Sequence, residues 1–141
     1  MTITYTGSCL CGQLRYSALG DPKIVAQCHC EECRRTSGTG HAVGAMFAVS
    51  AVTFTGKTST YSYTSHNGSS VSKAFCATCA SPIYGTNSNS PEYLTLTLGS
   101  MDEATDLAVQ VVIFARDKQH WDQLTSDVAS FDTQPDWSPA N

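Results

Sequence analysis

Seven cysteines in three short groups constrain this chain more than any other feature. The groups are Cys9-Leu10-Cys11, Cys28-His29-Cys30-Glu31-Glu32-Cys33 and Cys76-Ala77-Thr78-Cys79. Two cysteines with one or two residues between them can converge on one metal ion. A tetrahedral zinc site with Zn–S bonds of about 2.3 Å needs its sulfurs only about 3.8 Å apart. Each close pair therefore supplies half of a four-ligand site.

The odd number of cysteines indicates a division into four and three. The two flanking pairs together predict a closed four-thiolate site, which is typical of structural zinc. The middle triplet predicts a second zinc site with one position open to water or substrate, as in catalytic zinc. The first set is Cys9, Cys11, Cys76 and Cys79, and the second is Cys28, Cys30 and Cys33.

Two other interpretations of the cysteines stay open at this point. One is a single four-thiolate zinc with three free thiols in the core, since a free cysteine behaves as a small hydrophobe. The other is a redox dithiol at Cys76/Cys79 or Cys30/Cys33, because the C-x-x-C spacing also suits thiol exchange. Core packing alone gives no reason to place three cysteines within six residues, so the spacing favours metal.

Length and charge narrow the function classes. The 141 residues fit one domain, residues 1–141. A net charge of -4 with eight basic residues argues against nucleic-acid binding, which needs clustered lysines and arginines. No apolar run approaches the roughly 18 residues of a membrane span, and the amino terminus lacks the pattern of a signal peptide. We therefore expect a cytoplasmic protein whose thiols stay reduced.

Strand patterns dominate and predict a mainly β domain. Leu94, Leu96 and Leu98 share one face by period two. Strands are predicted at 13–18, 23–28, 42–49, 70–75, 82–85, 93–98 and 109–114. A hairpin is predicted between 52–54 and 61–63, with its turn at Gly56 and Lys57. Helix is predicted at 31–36 and 117–124, and an irregular tail at Pro135 and Pro139.

The cysteine motifs resemble those of the glutathione-dependent formaldehyde-activating (Gfa) family, which includes centromere protein V-like domains. The matching segments are Gly7-Ser8-Cys9-Leu10-Cys11-Gly12, Cys28-His29-Cys30-Glu31-Glu32-Cys33-Arg34-Arg35-Thr36-Ser37-Gly38 and Phe75-Cys76-Ala77-Thr78-Cys79-Ala80-Ser81. Weaker matches follow at 98–102 and from Ile113 to Trp121. The resemblance covers nearly the whole chain in order. Two positions depart from it: Ala80 stands where the family usually has Gly, and Val112 where many members have His.

The resemblance implies an Mss4-like fold of twisted antiparallel sheets with few short helices. It also implies two zinc ions per chain, divided between the cysteines as above, and a carbon–sulfur lyase acting on a glutathione adduct such as S-hydroxymethylglutathione. The alternative is a non-catalytic glutathione carrier or a zinc-stabilised interaction module. The expected partner is a small thiol such as glutathione, without nucleic acid or membrane.

Several other side chains carry weaker expectations. Arg34 and Arg35 can pair with the two carboxylates of glutathione, or form the solvated face of a short helical turn. His29 can move a proton, but its cysteine neighbours predict that it points away from the metal. The remaining histidines, His41, His66 and His120, have no ligand spacing. Phe114 and Trp121 can line a pocket, although such aromatics usually lie in the core.

Overall fold

The computed structural model describes residues 2–135, which form eleven strands in two sheets. The first sheet contains β1 (Thr4–Ser8), β2 (Arg15–Leu19) and β5 (Val52–Thr55) in the order β1-β2-β5, all antiparallel. The mainly β prediction and its twisted antiparallel sheets are confirmed. The predicted irregular tail falls mostly outside the described residues.

The second sheet is larger and has the order β11-β10-β3-β4-β9-β8-β7-β6. Its strands are β3 (Ile24–Cys28), β4 (Ala42–Ala48), β6 (Thr58–Thr64), β7 (Ser70–Cys76), β8 (Pro82–Asn87), β9 (Tyr93–Thr97), β10 (Val111–Ile113) and β11 (Ala129–Ser130). Its pairs are antiparallel except at one end, where β10 runs parallel to both β3 and β11. The sheet is therefore mixed.

Helical structure is short, as the sequence predicts. The α-helix α1 (Glu31–Ser37) begins after Cys30 and ends at Gly38, whose left-handed φ of 74° suits the helix C-terminus. Three 3-10 turns lie at Val49–Ala51, Leu98–Ser100 and Ala115–Asp117. Within residues 2–135, no helix has both the length and the apolar character that crossing a membrane requires.

The hydrophobic core takes residues from both sheets. The first sheet contributes Tyr5, Tyr16 and Ala18, and the second contributes, among others, Phe47 and Leu96. The rings of Tyr5 and Phe47 meet edge to face, with centroids 6.1 Å apart. Burial alternates with period two on β1, β2 and β3, so one face of each of these strands points toward the core.

Two local predictions are wrong. The strands at 52–54 and 61–63 exist but do not form a hairpin, because β5 pairs with β2 and β6 pairs with β7. At Gly56, with φ of 104°, the chain passes so close to the Gln13 carbonyl that a Cβ would overlap it, and the two strands enter different sheets. The predicted helix at 117–124 is replaced by turns. A helix of that length is marginal in water, so tertiary polar contacts decide its conformation.

Candidate metal centres and the adjoining cleft

Four cysteines from two distant turns meet where the sheets approach each other. Cys9 and Cys11 lie between β1 and β2, and Cys76 and Cys79 lie at the β7–β8 turn. The Cys9 and Cys11 sulfurs are 3.5 Å apart, and those of Cys11 and Cys76 are 3.7 Å apart. These separations are close to the roughly 3.8 Å of a tetrahedral zinc–thiolate site. The four-cysteine cluster is therefore compatible with zinc.

Backbone hydrogen bonds orient the sulfurs of this cluster. The Leu14 N–H donates to Cys9 Sγ at 3.3 Å, and the Thr78 N–H donates to Cys76 Sγ at 3.4 Å. The two turns also contact each other directly, since the Leu10 N–H donates to Ser81 Oγ at 3.0 Å. Donors aimed at a sulfur favour its anionic form, which is the form that binds metal.

Ser81 also acts on the last cysteine of the cluster. Its Oγ lies 3.2 Å from Cys79 Sγ. This hydrogen bond, together with backbone N–H donors, lowers the pKa of Cys79 to about 5. The Cys79 thiol consequently ionises more readily than an ordinary cysteine, which favours metal binding.

Ala80 keeps a glycine-like conformation in the turn that follows Cys79. Its φ is 66°, in the left-handed region, and its N–H donates to the Cys76 carbonyl at 2.9 Å. Alanine in place of the family's usual Gly therefore adds strain at this position, because a Cβ is disfavoured there.

The second cluster is built on one strand end and one helix start. Cys28 ends β3, Cys30 caps the amino terminus of α1, and Cys33 lies in its first turn. The three sulfurs lie within 4.8 Å of one another. The Cys33 N–H donates to Cys30 Sγ at 3.3 Å, so the cap itself orients one sulfur. This cysteine triplet presents three soft ligands and is also compatible with zinc.

A lysine lies beside the triplet and offsets part of its negative charge. No sequence pattern predicts this lysine. Lys73 Nζ on β7 lies 3.7 Å from Cys33 Sγ. Hydrogen bonds from the Cys28 and Cys30 thiols hold the pKa of Cys33 well below its ordinary value, and the Lys73 ammonium adds to this effect. Tyr63 faces the same charge: burial raises its pKa, and the Cys33 thiolate raises it further.

A cleft of about 480 Å³ opens beside the triplet and reaches Cys30. Its wall includes three cationic side chains and three carboxylates, together with the ring of Phe114; the charged residues are Arg34, Arg116, Lys118, Glu31, Glu32 and Asp117. Its volume lies within the range of small-molecule sites. The cleft therefore joins one edge of a candidate metal centre to charged side chains of both signs.

The structure separates the two arginines of the helix. Arg34 lines the cleft, and its buried Nε finds no hydrogen-bond acceptor within residues 2–135. Arg35 is instead 67% exposed and donates to Glu31 one turn back at 2.8 Å. Arg34 thus lines the cleft and carries an unpaired donor, whereas Arg35 matches the solvated helix face.

The sequence predicts the orientation of His29 but not the contacts that the histidines make. His29 is fully buried and its Nε2 lies 2.9 Å from the side-chain nitrogen of Gln27, so it points away from the triplet, as expected. Its Nδ1 lies 3.2 Å from Asp122 Oδ2, and His41 Nδ1 lies 2.8 Å from the same oxygen. The juxtaposition with Asp122 has no signal in sequence spacing, because the partners are 81 residues apart.

The two aromatic side chains, Phe114 and Trp121, also lie in different surroundings. Phe114 lines the cleft, where its ring meets His66 edge to face at 5.0 Å. Trp121 is 58% exposed, so its expected place in the core is wrong. The turns that replace the predicted helix at 117–124 carry its indole to the surface.

Comparison with known proteins assigns this arrangement to a family. The family model described as glutathione-dependent formaldehyde-activating enzyme matches residues 4–117. A crystal structure of a Rhodobacter sphaeroides protein is similar in fold, with a TM-score of 0.56 and 16% sequence identity, covering 89% of this chain and 98% of that one. No curated protein matches the chain. The match spans most of the chain and both cysteine clusters, so this chain belongs to the glutathione-dependent formaldehyde-activating enzyme family.

Proposed function

We propose that this chain is a zinc-dependent carbon–sulfur lyase-type enzyme that acts on a glutathione adduct such as S-hydroxymethylglutathione. The observation that carries the proposal is the cleft, which places cationic side chains, with carboxylates among them, beside Cys30 of the cysteine triplet. Family membership supports glutathione-related formaldehyde activation.

The cleft suits the charges of glutathione. This tripeptide carries two carboxylates and a thiol, and guanidinium groups bind carboxylates through paired N–H donors. Arg34, with its unpaired buried Nε, is the residue we assign to one carboxylate, and Arg116 and Lys118 to the other. Binding in this way directs the thiol toward Cys30.

The chemistry at the triplet follows from its ligand set. Cys28, Cys30 and Cys33 would hold a zinc ion, which would supply the positive charge that favours ionisation of a thiol. In the synthetic direction a bond forms between the glutathione sulfur and the formaldehyde carbon, the carbonyl π bond breaks, and the thiol proton ends on the new hydroxyl. Lys73 stabilises the added negative charge on this side of the site.

We assign the four-cysteine cluster a structural role. It is supported by its position between the two sheets and by the donors that surround its sulfurs. Elemental analysis of protein purified without added metal is expected to give two zinc ions per chain. One ion per chain in a stably folded protein would contradict the assignment of two centres.

NMR exchange spectroscopy tests the proposed reaction. The rate of interconversion between glutathione, formaldehyde and their adduct is expected to rise in proportion to the concentration of zinc-loaded protein. Cys30→Ser should remove the acceleration while leaving the fold intact, because serine also caps a helix. An unchanged exchange rate at every protein concentration rules out the enzyme. Glutathione binding by calorimetry without acceleration would instead identify a carrier.

A further inference from the structure

A cluster outside both cysteine sites combines His29, His41 and Asp122. One oxygen of the carboxylate faces the Nδ1 atoms of both rings, at 3.2 Å from His29 and 2.8 Å from His41. The three potential ligand atoms lie within 4.8 Å of one another. Within residues 2–135, His29 Nδ1 has no well-aligned hydrogen-bond partner. A ring nitrogen that binds a metal ion would also lack such a partner. The protonation of His29 therefore decides what the cluster is.

Gln27 fixes that protonation. Its side-chain nitrogen lies 3.1 Å from the backbone carbonyl oxygen of Gln123, and its side-chain oxygen accepts a hydrogen bond from the Thr125 hydroxyl. A carbonyl oxygen only accepts, so the amide has to present its nitrogen to Gln123. The same nitrogen lies 2.9 Å from His29 Nε2 and donates to it.

The consequence is a single favoured tautomer. Because His29 Nε2 accepts from Gln27, the proton of the neutral ring lies on Nδ1, facing Asp122. A protonated Nδ1 has no lone pair for a metal ion. Metal binding there would require an N–H on Nε2 pointing at the N–H of Gln27, an unfavourable contact in a fully buried position.

We propose that Asp122 is a positioning residue that acts through His29 and His41. Hydrogen bonds join Gln27 to His29 and Asp122 to His41, and a 3.2 Å polar contact joins His29 Nδ1 to Asp122. This polar relay fastens residues 115–125 to β3 and to the start of β4. It is not a third metal site. The inference rests on the proposed function only where it treats residues 115–125 as a wall of the thiol cleft.

The surroundings of Asp122 support the relay. A Cβ on Gly40 would overlap the Asp122 carboxylate, so the glycine provides the space that the carboxylate occupies. Lys118 Nζ donates to the Asp122 carbonyl at 3.2 Å and to the Gln119 carbonyl at 3.3 Å, which closes the turn that carries the carboxylate. Lys118 and Gln119 both line the cleft.

The relay also reaches the cysteine triplet through the backbone. In extended chain, neighbouring side chains alternate sides, so His29 points one way while Cys28 and Cys30 point the other. The His29 N–H donates to the Ile113 carbonyl at 3.1 Å, which ties this short stretch to the end of β10. Fixing the His29 ring therefore also fixes the residues on either side of it.

The tautomer of His29 is the first test. Long-range ¹H–¹⁵N spectra of the zinc-loaded full chain, labelled at histidine nitrogens, should show the Nδ1–H form, with the signal assigned by its loss in His29→Gln. An Nε2–H form overturns the relay. So does a third zinc equivalent that disappears in Asp122→Ala. Neither readout needs enzyme activity, so failure of the relay is distinguishable from failure of the proposed reaction.

Hydrogen exchange of residues 115–125 is the second test. Asp122→Ala should speed exchange of their amides by about tenfold or more, as loss of a charged hydrogen-bond acceptor predicts. Gly40→Ala should act in the same direction with every polar group retained, and Asp122→Asn should exchange more slowly than Asp122→Ala because an amide oxygen still accepts. The matched controls are Asp132→Ala, an exposed acid, and Gly99→Ala, whose Cβ meets no atom within 4 Å. Wild-type exchange in both Asp122→Ala and Gly40→Ala overturns the proposal.

A kinetic split separates positioning from general stability. For Asp122→Ala we expect the KM for glutathione to rise about fivefold or more with kcat within about a factor of two. The variant loosens a binding wall but retains the hydrogen bond from the His29 N–H to the Ile113 carbonyl, which still holds the neighbouring cysteines in place. Equal KM values for Asp122→Ala and wild type would show that residues 115–125 are not positioned by the relay.

Discussion

Single residues at the cleft determine which arginine can bind a carboxylate. Arg34 and Arg35 are adjacent in sequence, yet one has an unpaired buried donor and the other forms an exposed ion pair with Glu31. Chemistry alone treats them as equals. Only the direction of α1 relative to the cleft distinguishes them, and that direction depends on packing between distant strands.

The two arginines therefore form a matched pair for mutation. We expect Arg34→Gln to raise the KM for glutathione roughly 10- to 100-fold, since a hydrogen bond between charged groups contributes about 1.5–3 kcal/mol. Arg35→Gln should change it less than about twofold, because exposed ion pairs contribute little. Steady-state kinetics with zinc-loaded protein measures both. Equal effects of the two substitutions would contradict the assignment of Arg34.

Lys73 offers a separate test of charge at the triplet. A bound thiolate adds one negative charge near an ammonium that lies 3.7 Å from Cys33 Sγ. Lys73→Met should therefore weaken glutathione binding to the zinc-loaded protein by about tenfold, whereas Lys73→Arg should retain most of the affinity. Calorimetry measures the affinity, and Lys57→Met, which alters an exposed turn lysine, is the control. Unchanged affinity in Lys73→Met would exclude this role.

Ala80 allows a stabilising substitution. Its left-handed φ of 66° costs an alanine about 1–2 kcal/mol, while glycine costs about 0.5–1 kcal/mol of chain entropy. Ala80→Gly is therefore expected to raise the free energy of unfolding by about 0.5–1 kcal/mol. Urea unfolding at a fixed zinc concentration measures the change. Lower stability in Ala80→Gly would indicate that the turn relaxes around the Cβ.

At the scale of elements, period-two patterns predict strands well and pairing poorly. Leu94 and Leu96 show the alternation of β9 and are buried as expected. The strands β5 and β6 were also recognised, but local sequence cannot tell that β5 pairs with β2. Pairing depends on what the sheets bury together, and the nearest partner in sequence is only the commonest choice.

The contact between β1 and the 3-10 turn at Leu98–Ser100 gives a test at this scale. A Cβ on Gly7 would overlap the ring of Tyr16, which lies opposite in β2, and the carbonyl of Ser100. Gly7→Ala should lower the free energy of unfolding by about 1–3 kcal/mol, the cost of overpacking. Denaturant unfolding measures it, with Gly99→Ala as the control in open space. Equal stability of the two variants would show that β1 shifts freely.

At the scale of the whole molecule, the four-cysteine cluster takes its residues from turns of both sheets. The triplet lies where β3 ends and α1 begins. The sequence predicted both clusters because metal ligands carry their own spacing rules. It could not predict Lys73, Asp122 or Gly40, because their roles come from side chains that approach from other strands and turns.

Removing metal ligands one at a time distinguishes the two clusters. Cys9→Ser is expected to abolish cooperative unfolding and to lose the zinc ion of the four-cysteine cluster, because structural zinc contributes directly to folding. Cys30→Ser should remain folded and retain one zinc ion. Circular dichroism with elemental analysis checks both. A folded Cys9→Ser protein containing one zinc ion would show that the two sheets stay packed without the metal ion of the four-cysteine cluster.

The position of the four-cysteine cluster between the two sheets also affects how the chain folds during its synthesis. The first sheet is complete in sequence at Thr55, before the second cysteine pair has been made. Cys76 follows Cys11, which it contacts, by 65 residues. At translation rates of about 5–20 residues per second, those 65 residues take roughly 3–13 s to emerge. During that interval Cys9 and Cys11 are half of a site. On the structural role proposed for this cluster, metal binding is consequently a late step, and the amount of folded protein is expected to depend on the zinc supplied when the second pair appears.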